Sequence, residues 1–191
     1  MARILSAIDT ASETFRANSA HNKGLAEDLR RRQHAVRRER PQRDFDRLAR
    51  QNKMFPRDRL EALLDPGTPF LEFSTLAANM AYDGEAPGAG QISGIGIVAG
   101  QEVVVHADDS SIKGGAWYPL SVKKIVRALD IAIENRLPMI HLCDSAGGYL
   151  QLQRELFADR YYAGRIFRNQ SILSKMGVPQ LAVVLGHCTA G

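Results

Sequence analysis

Met139-Ile140-His141-Leu142-Cys143, followed by Asp144-Ser145-Ala146-Gly147-Gly148, is an apolar run that opens into a small-residue bend. The same phrase returns as Leu181-Ala182-Val183-Val184-Leu185 followed by Gly186-His187-Cys188-Thr189-Ala190-Gly191. Each run is preceded by an apolar residue and a proline, Leu137-Pro138 and Val178-Pro179, which stop the helix predicted upstream. The two prolines are 41 residues apart, a spacing that suits one strand, loop and helix. Strands joined through helices are expected to be parallel, with right-handed crossovers. Parallel strands bring their C-terminal bends to one edge of the sheet, where α/β folds bind ligands. The pattern therefore places 147–148 and 191 side by side.

Working outward, Ser121 is read as the cap of a helix whose Val122, Ile125, Val126, Leu129 and Ile133 make one apolar stripe. A second helix is expected from about Asp159 to Lys175, with Tyr162, Ile166, Phe167, Gln170 and Leu173 on one side. Gln91-Ile92-Ser93-Gly94-Ile95-Gly96-Ile97-Val98 alternates as a half-buried strand. Ala99-Gly100-Gln101 turns it, and Glu102-Val103-Val104-Val105-His106-Ala107 returns, so the pair reads as a β-hairpin. Two further small-residue loops flank the hairpin, 83–90 before it and 110–119 after it. Residues 1–65 are polar and helical, broken at Pro41 and reopened by Phe55-Pro56-Arg57-Asp58. The chain thus divides into a helical arm, 1–65, and an α/β domain, 66–191.

The 191 residues are 45% hydrophobic and 24% charged, with a net charge of +4, the profile of a globular protein with one sizeable core. No apolar run approaches the roughly 20 residues needed to cross a bilayer. The N-terminus is too polar for a secretory signal, and Asp9 and Glu13 argue against a transit peptide. Cys143 and Cys188 have no Cys-x-x-Cys spacing, and no His/Asp/Glu cluster has metal-ligand spacing, so neither a disulfide framework nor a metal site is indicated. These features suit a cytoplasmic protein or one of the mitochondrial matrix. The basic excess lies in Arg30 to Arg59. It reads first as a solvated helical face and second as contact with a partner subunit. Nucleic-acid binding is disfavoured, since stacking aromatics are scarce there.

A glycine-rich bend after a strand exposes backbone N–H groups, and two such bends together can hold a phosphate or a thioester oxygen. The plainer alternative is that the glycines only permit tight turns. His141, Asp144 and Ser145 make a poor triad, because they point in different directions and Cys143 replaces the first glycine of a nucleophile elbow. Cys188 next to His187 is no better, and small buried residues are the simpler account of both. Lys113 is either a phosphate-reaching ammonium or a solvated loop lysine.

Asp65-Pro66-Gly67-Thr68-Pro69-Phe70-Leu71-Glu72, Gly94-Ile95-Gly96, Asp108-Asp109-Ser110-Ser111-Ile112-Lys113-Gly114-Gly115-Ala116-Trp117-Tyr118-Pro119, Asp144-Ser145-Ala146-Gly147-Gly148-Tyr149-Leu150 and Gly186-His187-Cys188-Thr189-Ala190-Gly191 occur in one order and register. Together with His21-Asn22-Lys23, Leu25 and Leu29, they resemble the carboxyltransferase β subunits of biotin-dependent acyl-CoA carboxylases. The Lys113–Pro119 loop and Tyr149-Leu150 are similar to the methylcrotonyl-CoA and geranyl-CoA branch. The resemblance implies an α/β crotonase (ClpP)-like fold, a superhelix of β-β-α units, here incomplete. It implies two backbone donors around a thioester carbonyl, one at Gly147-Gly148 and one at Ala190-Gly191 or the residue after. It further implies that Lys113, Gly114, Gly115 and Ala146 contact the CoA thioester. In the family reaction, N-carboxybiotin on a partner releases CO2, the ureido nitrogen takes the substrate's acidic proton, and the enolate attacks CO2. The implied cofactor is biotin, and the implied partners are a biotin-carrying biotin carboxylase α subunit, further β subunits and an acyl-CoA.

The chain departs from that pattern in lacking the family's second, biotin-binding crotonase-like domain. Its Ala-Gly-Gly run stops after one glycine, and Gln151-Leu152-Gln153 stands where proline is common. The expectation is that these residues alone are not a competent carboxyltransferase. Another crotonase-type CoA enzyme, or a fragment acting only in assembly, stay open as alternatives. A nucleotide-binding domain is weaker, since the Gly-x-Gly-x-x-Gly fingerprint is missing.

Overall fold

The computed structural model describes residues 5–156 and 159–189. These form two compact units that divide between Arg38 and Glu39. The first contains one long helix, α1 (Glu13–Arg38), with Asp28 paired to Arg31 and Arg32 on its surface and basic residues in its last turn. No described helix is long and apolar enough to cross a membrane.

The second unit is built on a five-stranded sheet in sequential order. Two helices precede it, α2 (Gln42–Arg50) and α3 (Pro56–Leu63). Pro41 stands just before α2 and Pro56 opens α3, the positions where a missing N–H costs nothing. The short strand β1 (Leu71–Glu72) pairs antiparallel with β2 (Gln91–Val98), which pairs antiparallel with β3 (Gln101–Asp108). The turn between β2 and β3 is only Ala99-Gly100, both at positive φ, so β3 starts one residue earlier than the alternation indicated. Asp65 fastens that turn by accepting the Ala99 and Gly100 amides at 2.8 and 2.7 Å.

From β3 onward the sheet is parallel. The helix α4 (Pro119–Asn135) leads to β4 (Met139–Ser145), and α5 (Ala163–Lys175) leads to β5 (Gln180–Cys188). Strand β4 pairs parallel with both β3 and β5, the pairing expected from the repeated phrase. Three boundaries differ from expectation. Helix α4 starts at Pro119 with Tyr118 as its cap, and Ser121 sits in the first turn, its Oγ accepting the Tyr118 amide at 2.9 Å. Helix α5 begins at Ala163 rather than Asp159. Asp144, Ser145 and the Gly186–Cys188 stretch belong to strands, because the ladder between β4 and β5 runs on to Ser145 and Cys188 through an irregularity.

Alternation of side chains divides the core between the two faces of the sheet. Val104 and Met139 pack under Val122, Ile125, Leu129, Ile166 and Leu173 of α4 and α5. Val103, Val105, Ile140 and Leu142 pack with Leu60 of α3. Buried ion pairs tie the leading helices to the sheet: Arg57 holds Glu72 through two bonds of 3.1 and 2.9 Å, and Arg40 holds Asp109 at 2.8 Å.

Candidate active site

The C-terminal edge of the parallel strands is where four segments converge. The bend after β4 lies against the loop 113–118: Ala146 N–H donates to the Gly114 carbonyl at 3.1 Å and Trp117 N–H to the Gly147 carbonyl at 2.8 Å. Tyr149 N–H returns a bond to the Trp117 carbonyl at 2.8 Å. Gly147 and Tyr149 thus spend their polar groups on Trp117, and the main chain of Gly148 between them turns the other way. No described residue accepts from the Gly148 amide, and Gly148 is exposed. The residue just after β5 closes in on Ser145 and Gly147. Thr189 N–H donates to the Ser145 carbonyl at 3.2 Å, and a Cβ on Gly147 would come within 3.3 Å of Thr189.

The glycines there have particular work. Gly115 is at φ +77°, and a Cβ at that position would overlap the Asp144 carbonyl, so the loop could not lie this close to β4 with any other residue. Gly147, at φ +90°, makes the sharp turn after the strand.

The sequence-derived positions Lys113, Gly114, Gly115, Ala146, Gly147 and Gly148 therefore fall in one cluster. Ala190 and Gly191 lie outside the described residues. Lys113 is half exposed and pairs with Glu85 at 2.8 Å, a contact that raises its pKa. The loop 83–90 owes its place to α4: Ser121 Oγ donates to the Ala89 carbonyl at 2.6 Å, and the buried Lys124 donates to the Gly88 and Gln91 carbonyls at 3.0 and 2.6 Å. Burial pulls the Lys124 pKa down to about 8. Nothing in the apolar stripe of α4 singled out this lysine.

The side chains that invited a hydrolase reading are engaged elsewhere. Asp144 points to the α3 face, where Lys53 and Arg59 hold its carboxylate at 2.6 and 2.9 Å. Burial opposes its charge, but these hydrogen bonds prevail and lower its pKa. Ser145 Oγ donates to the Gly115 carbonyl at 2.8 Å and accepts from Gly147 N–H at 3.0 Å. His141 lies on the opposite face from Asp144, and burial drops its pKa to about 4. Cys143 is half-buried, with its thiol pushed up to about 11 chiefly by burial, whereas Cys188 is exposed rather than buried as its small size had suggested.

Beneath the bend, between the sheet and helices α4 and α5, lies a cavity of about 400 Å³ with Gly148 and Trp117 in its wall. Asp108 is in its floor, where Trp117 Nε1 donates to it at 2.8 Å, and burial raises its pKa to about 6. The cavity escaped the sequence analysis because its walls come from five elements, none with a motif of its own.

Comparison with known proteins identifies the family and the fold. A family model described as the carboxyl transferase domain matches residues 48–191. A biotin-dependent 3-methylcrotonyl-coenzyme A carboxylase β1 subunit of Mycobacterium tuberculosis is 53% identical over 139 residues, covering 73% of this chain and 26% of that subunit. The mitochondrial methylcrotonoyl-CoA carboxylase β chain of Arabidopsis thaliana is 43% identical over 184 residues, covering 96% of this chain and 31% of the plant protein. Among solved structures, the geranyl-CoA carboxylase β subunit of P. aeruginosa superposes with a TM-score of 0.70 at 34% identity, covering 94% of this chain and 33% of that one. The chain spans about a third of the length of these relatives. Its α/β architecture is the crotonase-like one of carboxyltransferase β subunits. On the match across three quarters of its length and these identities, the chain belongs to the carboxyl transferase domain family.

Proposed function

We propose that this chain supplies the acyl-CoA-binding part of a biotin-dependent carboxyltransferase acting on a methylcrotonyl-CoA- or geranyl-CoA-like thioester. The observation that carries the proposal is the unspent Gly148 amide, held between two bonds to Trp117. A backbone donor held in this way is preorganised for the negative charge that gathers on a thioester oxygen when the adjacent carbon loses its proton. The second donor of such a site would come from residues 190–191, which lie outside the described residues, or from the residue after them.

The residues present suit a division of labour with carboxybiotin. Asp144 is locked in ion pairs and Ser145 is bonded twice to the main chain, so neither is poised as base or nucleophile at the bend. Biotin on a partner subunit would supply the carboxyl group and the nitrogen that accepts the substrate's proton. The chain's own part is then to hold the thioester oxygen at Gly148, to place the acyl group under Trp117, and to seat CoA along Lys113-Gly114-Gly115 and Ala146. Lys113 can exchange its exposed partner Glu85 for a phosphate, since such surface pairs contribute little.

The test is thermal unfolding with ligands. A CoA thioester present at tenfold its Kd stabilises a folded protein by about 1.4 kcal/mol, which raises Tm by about 3 to 6 °C in a chain of this size. Such a shift is expected with an acyl-CoA and not with free biotin. No shift at millimolar thioester would overturn the proposal.

A further inference from the structure

The Gly148 amide owes its place to Trp117, and Trp117 is in turn held by the end of β3. Its main chain donates to the Gly147 carbonyl at 2.8 Å and accepts from Tyr149 N–H at 2.8 Å, so it grips the bend on both sides of Gly148. Its indole Nε1 donates to Asp108 Oδ1 at 2.8 Å. The other oxygen of that carboxyl accepts the Asp144 amide at 3.3 Å, just before the strand opens into the bend. Asp108 is the last residue of β3 and is buried. One buried carboxyl thus joins the strand that leads into the bend to the loop residue that grips it.

The neighbouring contacts do something different. Ser145 Oγ and the Ala146 amide reach the Gly115 and Gly114 carbonyls, upstream of Trp117. The Tyr118 ring stacks on that of Tyr149 with centres 4.5 Å apart. These contacts join loop to bend, whereas the Asp108 bond ties Trp117 itself to the sheet. Strand β3 is paired on both sides, to β2 and β4, so a group at its end is a fixed reference point. Hydrogen bonds made out of water are also stronger than exposed ones. A donor aids a developing negative charge only if it is already aimed when the charge appears, and a hydrogen bond weakens steeply as its angle falls. A main-chain donor has no side chain of its own to aim it, so its aim depends on the packing and hydrogen bonds behind it.

Resting on the acyl-CoA reading above, we infer that Asp108 is a positioning residue for the thioester oxygen, acting through its bond to the Trp117 indole to hold the Gly148 amide in place. Asp108 takes no proton from the substrate in this scheme. What matters is the acceptor it offers to the indole, not its charge.

The probes are 3-methylcrotonyl-CoA and the thioether in which a methylene replaces its carbonyl. Both are titrated calorimetrically against the full chain and its variants, and the ratio of the two affinities reads the hydrogen bond to the carbonyl oxygen. In the parent chain the thioester is expected to bind about fivefold tighter, within the range of one net hydrogen bond. The ratio should fall to twofold or less in Trp117→Phe and in Asp108→Ala, and stay near fivefold in Asp108→Asn, which keeps an acceptor for the indole. The infrared carbonyl stretch of the bound, 13C-labelled thioester should be lowered in the parent and in Asp108→Asn, and lowered less in the other two. A merely structural role would weaken both ligands together and leave the ratio unchanged. A ratio that survives in Trp117→Phe and Asp108→Ala overturns the inference, as does one that is lost in Asp108→Asn or is close to one in the parent. All three leave acyl-CoA binding standing. Failure of both ligands to bind removes the inference and the acyl-CoA reading alike. Should Trp117→Phe misfold, Asp108→Ala decides, since it leaves no buried carboxyl unpaired.

Discussion

Asp108 lies almost wholly out of water, and its carboxyl meets neutral donors, among them the Trp117 indole and the Asp144 amide. Burial therefore dominates and raises its pKa to about 6. The free-energy sign follows from linkage. A carboxyl whose folded pKa lies above the unfolded value near 3.9 favours the fold while protonated, and that contribution is lost as pH rises through about 6. A shift of about two units corresponds to roughly 3 kcal/mol, as an order of magnitude. Asp108→Asn keeps an acceptor for Trp117 and has no charge to desolvate. Urea unfolding should find it more stable than the parent by up to about 3 kcal/mol at pH 8, with the difference vanishing near pH 4. Equal stabilities at pH 8 would mean that water reaches this carboxyl. The residue was visible in the sequence only as part of a motif; its chemistry comes from the helix and loop that cover it.

At the scale of elements, β5 is the exception to an otherwise well-covered sheet. Among the described residues it is an edge strand with one neighbour, and Leu181, Val183, Val184 and Leu185 are 59, 42, 59 and 37% exposed. An edge with unpaired backbone groups and apolar side chains invites pairing with another chain. The isolated chain should accordingly self-associate, and Val183→Lys, on the face away from the cavity, should raise the monomer fraction in light scattering at equal concentration. Unchanged association would place the contact elsewhere. The apolar run and the proline before it were enough to locate this strand. Its exposure was not readable, because an apolar run predicts burial without saying what performs it. Helix starts show the reverse difficulty. Ser121 has the chemistry of a cap, but Pro119 is already suited to the first helical position, so the helix begins there and Ser121 reaches back to Tyr118.

For the molecule as a whole, the net charge of +4 and the apolar edge of β5 act against each other. Like charge keeps chains apart at neutral pH, and the sequence pI is about 9.3. Solubility in low salt should therefore fall as pH rises from 7 towards 9, and turbidity should increase over that interval; a flat profile would show that net charge does not control association. Added salt at pH 7 should act in the same direction, since it screens the repulsion.

The sequence by itself determined the order of elements, the parallel joining of the last three strands and the family, because proline stops, side-chain periods and glycine motifs act locally and survive in one dimension. Only the tertiary structure decided that Gly148 keeps a free amide while its neighbours are bonded to Trp117, that Asp144 belongs to Lys53 and Arg59, and that His106 and His141 meet edge to face on adjacent strands. Those facts depend on strand register and on which face each side chain takes, and residues 30 to 91 positions apart in the chain have no local signal by which to announce that they touch.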